Sequence, residues 1–206
     1  MFALVESGSI TRMLKGNRGI TIDGVQHPRT VFTLWSEAER NAIGIYTVEI
    51  DNSKKKDEKW YINTDITYTF GSGKVTGSYG DATARAHADT KWTQSEIDAG
   101  EAPEGADTNT VKTKGLKTVL ITQVKEQAQN ELNITDWYVT RKSEKDTAIP
   151  SAISTHRDAV RSKQAEMETA ITNASDIPAL ETLYTYTSQE DGSVTRPLGE
   201  LPILED

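Results

Sequence analysis

The spacing of the hydrophobic residues changes once along the chain, and this change limits the folds that the sequence can adopt. From Trp60 to Phe70 apolar and polar side chains alternate, which is typical of a strand with one buried face. From Leu116 to Leu132 the apolar residues recur at helical spacing instead. The sequence therefore predicts an α+β protein in which strands come first and helices second.

In the first 92 residues, glycine-rich breaks separate short apolar runs, a pattern that is typical of a small antiparallel β domain. Ser36 and Glu39 have the spacing of a capping box, which predicts one short helix that runs to about Ala42. Gly44 is placed to end this helix, since glycine adopts the left-handed conformation at low cost. We therefore predict a β-rich domain over residues 1–92.

The remaining chain divides into three predicted parts. Residues 93–113 hold Gly, Pro, Ala and acidic residues with almost no apolar content, which indicates an acidic linker. Residues 114–187 are predicted as a helical domain, with a hairpin of two amphipathic helices and a short third helix. Residues 136–139, between the two long helices, are predicted to form a compact apolar cluster. Residues 188–206 are predicted as an extended arm that needs a surface to lie on.

The composition argues against several classes of function. The chain has no cysteine and three histidines, which disfavours disulfide frameworks, thiolate nucleophiles and the common zinc sites. Its formal net charge is −8, whereas phosphate binding needs a surplus of Lys and Arg. No segment has the roughly 20 apolar residues of a membrane span, and the first residues do not resemble a secretory signal. We expect no metal, no cofactor, no nucleic acid and no membrane as partners.

Motifs that would carry catalytic chemistry are incomplete. Residues 71–74 superficially resemble a phosphate-binding loop, but the first glycine and the Ser or Thr after the lysine are missing. A hairpin turn is the better interpretation. His27, His87 and His156 are not accompanied by the signature of a nucleophile. We therefore predict no catalytic residue and expect that the protein is not an enzyme.

Three residues are candidates for binding a partner protein: Trp92, Arg157 and Arg161. Trp92 lies at the edge of the acidic linker, where it either anchors the linker or contacts a partner. Arg157 and Arg161 share one helix face because they are four residues apart. They either recognise a carboxylate on a partner or form an ion pair with Asp136 within the chain.

Five other residues are predicted to lie in the hydrophobic core. Trp35 and Trp60 belong to apolar β runs, and Trp137 lies at the junction of the helices. Val160 and Met167 lie on the apolar face of the second long helix. On this prediction, alanine in place of Trp137 costs about 3–5 kcal/mol of stability in the helical domain.

Several segments of the chain resemble proteins of bacteriophage tails. In the second half the segments are Leu132, Thr135-Asp136-Trp137-Tyr138-Val139, Arg141-Lys142, Ala148-Ile149-Pro150 and Arg157-Asp158-Ala159-Val160-Arg161. They resemble the helical region of small tail-fibre assembly and tail-assembly-chaperone proteins of tailed phages. In the first half the segments are His27-Pro28, Trp35-Ser36-Glu37-Ala38-Glu39-Arg40 and Ala42-Ile43-Gly44-Ile45. They resemble the amino-terminal region of proteins from marine phage tail modules.

The resemblance implies a non-enzymatic structural component of a phage tail, at the baseplate or at the attachment of a fibre. The implied partners are other tail proteins, with several copies in a symmetric ring or trimer. The implied location is the tail of the virion, after assembly in the host cytoplasm. Two alternatives stay open: a tail-fibre assembly chaperone that is not retained in the virion, and a receptor- or glycan-binding tail module. A hydrolase or lyase that acts on host glycans is a third alternative, without a motif to support it.

Overall fold

The structure is a computed structural model that describes residues 1–204, and it confirms the α+β class. Its strands are β1 (Phe2–Glu6), β2 (Ser9–Leu14), β3 (Ile20–Ile22), β4 (Val25–His27), β5 (Ile45–Asp51), β6 (Tyr61–Ile62), β7 (Thr67–Gly71), β8 (Lys74–Ser78), β9 (Thr83–Ala84), β10 (Thr90–Lys91), β11 (Val111–Thr113), β12 (Thr187–Ser188) and β13 (Val194–Thr195). Its helices are a 3-10 helix (Arg29–Phe32), α1 (Glu37–Ala42), α2 (Gln94–Asp98), α3 (Leu116–Asn133), α4 (Asp136–Lys145), α5 (Ser151–Asn173) and α6 (Ile177–Tyr184). The chain divides into two compact units, Met1–Ala84 and one that begins at Arg85.

The first unit is built on a curled five-stranded sheet with the order β2-β1-β5-β8-β7. Three of its four strand pairs are antiparallel, but β5 and β8 run parallel, with Val48 opposite Val75. The expectation of an antiparallel domain is therefore wrong at this pair. Residues 52–73, which include β6 and β7, supply the long connection that a parallel pair requires.

Both faces of this sheet are covered by apolar side chains. Leu4 of β1 joins a core cluster with residues of β3, the 3-10 helix and β5. Its neighbours Ala3 and Val5 point to the opposite face and pack with Val75 of β8. A curled sheet with a core on each side explains how a unit of this size buries its apolar residues.

The predicted short helix is confirmed as α1. The hydroxyl of Ser36 accepts a hydrogen bond from the amide of Glu39, and the Glu39 carboxylate accepts one from the amide of Ser36 at 2.8 Å. Glu39 has a lowered pKa because the Ser36 side chain and backbone both donate to its carboxylate. Gly44 follows the helix with a φ of +79° and begins the return into β5.

The second unit is centred on the pair of long helices α3 and α5, as the hydrophobic spacing predicts. Lys117 near the start of α3 donates to the carbonyl of Thr172 near the end of α5, so the two helices are antiparallel. Their contact buries side chains of both helices, among them Leu120, Val124, Ala128, Val160, Met167 and Ile171. Between them, residues 136–145 form the helix α4 and not the predicted apolar cluster.

Residues 85–113 fold with the helical unit. β10 pairs with β11, and the amides of Leu116 and Lys117 at the start of α3 donate to the carbonyls of Ala86 and His87. The segment predicted as a linker contains the helix α2, which begins at a capping box of Thr93 and Glu96. These backbone contacts place residues 85–92 with the helices and not with the β unit.

The described part of the C-terminal arm lies on its own helical unit. β12 and β13 form a small hairpin, and Leu198 beyond it is buried while its amide donates to the carbonyl of Leu183 at 3.0 Å. The Arg196 guanidinium lies 5.2 Å from the ring centroids of both Tyr184 and Tyr186. Up to residue 204, the arm therefore lies on a surface of its own chain. Residues 205–206 lie outside the described residues.

Replacing Gly44 with alanine should destabilise the β unit by about 2–4 kcal/mol, because a left-handed φ and a steric clash add together. A Cβ at this position would lie 2.6 Å from the carbonyl oxygen of Val5. Gly24 is the matched control, since its φ is +78° but a Cβ there would meet nothing within 4 Å. Gly24→Ala should cost about 1 kcal/mol. Urea denaturation followed by circular dichroism measures both, and equal losses would show that the clash is not decisive.

Candidate functional site

A buried arginine joins the end of α3 to the start of α4. Arg157 of α5 is 8% exposed, and its Nη1 donates to the Leu132 carbonyl at 2.8 Å and to the Thr135 hydroxyl at 2.7 Å. The same nitrogen lies 2.9 Å from Oδ1 of Asp136, the first residue of α4. The Thr135 hydroxyl in turn donates to the Leu132 carbonyl at 3.0 Å. We call these four residues the Arg157 clasp.

The clasp decides between the two alternatives for the arginine pair. Arg157 forms the ion pair with Asp136 within the chain, so its predicted role as a partner-binding residue is wrong: a buried guanidinium with three oxygen partners cannot reach another protein. Arg161 lies one turn further along α5, is half exposed, and pairs with Asp158 at 3.2 Å. It borders an open groove of about 670 Å³ along α5. A partner-binding role for Arg161 stays a prediction.

Helix α4 buries none of its ten residues within the described part of the chain. Trp137 is 51% exposed, so its predicted core position is wrong. The reason is its phase on the helix: Asp136 is turned towards Arg157, and the next residue is rotated by about 100° from it. Ile134, just before the helix, is 59% exposed. Exposed apolar residues therefore cluster at the start of α4.

The aromatic residues of α4 form a compact stack with an arginine. The ring centroids of Trp137 and Tyr138 are 3.9 Å apart, and the Arg141 guanidinium lies 4.6 Å from the first and 5.4 Å from the second. A guanidinium at such distances from aromatic faces is held by cation–π attraction. Trp137, Tyr138, Arg141 and Lys145 share one face of α4 by their spacing. We call these four residues, together with Ile134 just before the helix, the α4 surface.

The charge of the α4 surface is positive. Lys142 forms a local ion pair with Asp146 at 2.6 Å, across one turn at the end of the helix. Within residues 1–204, neither Arg141 nor Lys145 has a carboxylate partner. The Nε of Arg141 is buried and has no hydrogen-bond partner among the described residues. The α4 surface thus combines exposed apolar area with two uncompensated positive charges.

Sequence reasoning missed Tyr138, Arg141 and Lys145 as candidates. The signal was present, since Trp137 and Arg141 are four residues apart and Tyr138 and Arg141 three, which are the spacings of neighbours on a helix face. The three consecutive apolar residues at 137–139 concealed this helical spacing, because a continuous apolar run has no helical period.

Trp92 is held within its own unit. Its ring is half-buried beneath the Lys112 ammonium at 4.6 Å, and its amide donates to the carbonyl of Thr110 at 3.2 Å. Lys112 also pairs with Glu96, and this hydrogen bond, together with those from Thr93, lowers the pKa of Glu96 to about 2. These contacts support the anchoring role for Trp92, and its partner-binding role stays a prediction.

The other predicted core residues are placed as follows. Trp60 is 3% exposed, and Val160 and Met167 are fully buried between the long helices. Trp35 is half-buried against the first core cluster, and its ring meets the edge of His27 at a centroid distance of 5.9 Å.

Searches for other kinds of site give two results for residues 1–204. No group of three or more His, Asp or Glu residues in this range is arranged to hold a metal ion. None of the helices in the same range has the length and apolar character required to cross a bilayer.

Comparisons with known proteins return no similarity. No family model matches the chain, no curated protein matches it, and no solved structure matches its fold. The Arg157 clasp and the α4 surface are therefore interpreted from their own geometry.

Replacing Arg157 with methionine should lower the free energy of unfolding by about 3–5 kcal/mol, because the buried Thr135 hydroxyl and Leu132 carbonyl lose their charged donor. Arg161→Met removes an exposed arginine from the same helix face and should cost about 0.5 kcal/mol or less. Urea denaturation of both variants measures the difference. Similar losses for the two would contradict a structural role for the clasp.

Alanine in place of Trp137 should cost only about 0.5–1.5 kcal/mol, because a half-exposed ring contributes mainly its stacking with Tyr138 and Arg141. Trp60→Ala, at a buried site, should cost about 3–5 kcal/mol. Thermal denaturation compares the variants. A loss of stability for Trp137→Ala as large as that for Trp60→Ala would show that Trp137 is a core residue.

Proposed function

We propose that this protein is a non-enzymatic structural component of a bacteriophage tail, located at the baseplate or at the attachment of a fibre. The observation that carries the proposal is the α4 surface. It places aromatic and arginine side chains, with Trp137 exposed, on a helix that buries none of its residues within residues 1–204. The phage-like segment from Leu132 to Lys142 contains three of the four clasp residues and most of the α4 surface, and Arg157 begins a second phage-like segment. The resemblance and the exposed cluster thus concern the same residues.

The chemistry of the α4 surface suits the recognition of a protein. Trp, Tyr and Arg are the residue types that contribute most binding energy at protein interfaces. A helix of ten residues is also marginal by itself, because fewer than about 12–15 residues seldom form a stable helix without packing. A second protein laid over α4 would bury the exposed ring of Trp137 beside the half-buried Tyr138 and stabilise the helix.

The arrangement fits an adaptor between other tail proteins. One unit offers a curled sheet with an apolar cluster on each face, and the other offers the α4 surface, joined to α5 by the Arg157 clasp. Several copies in a symmetric ring or trimer would place these surfaces at regular intervals around the tail. An assembly chaperone could use the same surface, and it differs from an adaptor in leaving before the virion is complete.

Quantitative peptide mass spectrometry on purified virions and on infected-cell lysate tests the proposal. We expect the protein in the virion, at a fixed copy number that follows the symmetry of the tail. The major capsid protein serves as the internal standard, and an abundant host protein reports contamination. Presence in the lysate with absence from virions would reject the structural role and identify a chaperone.

A virion assembled with the Arg141→Glu variant provides the matched test of the surface. We expect this variant to be soluble and folded but depleted from particles, because the reversed charge disfavours binding at the α4 surface. Lys15→Glu, at an exposed position of the β unit, is the control and should be incorporated normally. Normal incorporation of both variants would remove the α4 surface from the proposal.

A further inference from the structure

The α4 surface has a chemical complement within the same sequence. Residues 93–111 contain no Lys or Arg and hold five acidic residues, in a chain whose net charge is −8. We propose that the α4 surface of one copy binds the acidic segment 98–104 of a second copy, so that the protein associates head to tail. This inference holds whether or not the protein is part of a phage tail.

The acidic segment has carboxylates that no basic residue neutralises. Glu96 is engaged by Lys112, but Glu101 and Glu104 are exposed and have no ion pair within residues 1–204. Asp98 is exposed as well; its Oδ1 accepts a hydrogen bond from the side-chain Nε2 of Gln94 at 2.8 Å, and it has no ion pair within residues 1–204. Three negative charges therefore lie within seven residues and have no ion-pair partner within residues 1–204.

The backbone holds this segment in place. Three backbone amides donate to backbone carbonyls at 3.0 Å: Gly100 to Ile97, Glu101 to Glu96, and Ala106 to Pro103. Apolar groups accompany the carboxylates, since Ile97, Ala102 and Ala106 are only half-buried. The segment is thus an ordered acidic turn with an apolar component, which matches the composition of the α4 surface.

Charge complementarity selects a second copy as the occupant. The α4 surface offers Arg141 and Lys145 beside exposed Trp137, and the acidic segment offers Glu101 and Glu104 beside half-buried alanines. None of these four charges is paired within residues 1–204, so a contact between copies would break no existing ion pair. Arginine stacked on aromatic rings is suited to receive a carboxylate, because its guanidinium is already oriented.

The contact joins two different surfaces, and such a heterologous contact repeats from copy to copy. Repetition closes into a ring when the rotation allows it and otherwise gives open chains. Each copy would carry one free α4 surface and one free acidic segment until the ring closes. Association should also weaken with salt, since exposed charges interact over a distance that shortens with ionic strength.

Sedimentation velocity of the purified full chain tests the proposal. We expect assemblies larger than a monomer at protein concentrations up to about 0.5 mM, a range that detects weak contacts. The association constant should fall at least about tenfold when NaCl is raised from about 50 mM to about 500 mM. Circular dichroism of every variant shows whether it is folded.

Two double variants give the decisive experiment. Arg141→Glu with Lys145→Glu disables the α4 surface, and Glu101→Lys with Glu104→Lys disables the acidic segment. Each alone should be monomeric, because one half of every contact is reversed. An equimolar mixture of the two should associate again and form at least dimers, since it contains one native pair of surfaces and one pair in which both charges are exchanged.

The control reverses two exposed charges of the β unit, Lys15→Glu with Arg18→Glu, and should associate like the original chain. A monomeric original chain over the whole concentration range overturns the proposal, and so does normal association of either double variant. A mixture that fails to form dimers also overturns it, because the two surfaces would then not bind each other. Phage incorporation plays no part in these outcomes, so they are independent of the proposed function.

Discussion

The helical unit depends on one buried cation. Arg157 brings a positive charge to the last carbonyls of α3, where the helix dipole is negative, and to Asp136 at the start of α4. Burying a guanidinium is costly unless its donors are satisfied, and here Nη1 donates to the Leu132 carbonyl and the Thr135 hydroxyl and forms an ion pair with Asp136. The clasp fixes the direction in which the chain leaves α3, and every feature of α4 follows from it.

Orientation explains why Trp137 of α4 is exposed. With Asp136 turned to Arg157, the following residue is rotated away from the contact, so Trp137 faces outward and the Arg141 guanidinium lies over its ring. The short helix then gains little from packing of its own, since none of its residues is buried within the described chain. A polar contact, and not an apolar core, keeps α4 in place.

The sequence predicts those parts of the fold that have a regular period or a local signal. Spacing alone identifies α3 and α5, and the pair Ser36 and Glu39 identifies α1 together with its cap. The parallel pairing of β5 with β8 could not be predicted, because it joins strands through a long connection whose path no local pattern specifies. The clasp was one of two alternatives for the arginine pair, and burial of Arg157 decided between them.

Arg157 and Arg141 show how arginines of the helical unit differ in role. The Nη1 of Arg157 contacts three oxygen atoms and the residue is buried, so its charge is used to position one helix against another. Arg141 stacks on two rings and keeps its charge uncompensated within residues 1–204, so it is oriented before any partner arrives. A surface oriented in advance loses less conformational entropy on binding. The internal clasp thereby orients the α4 surface without being part of it.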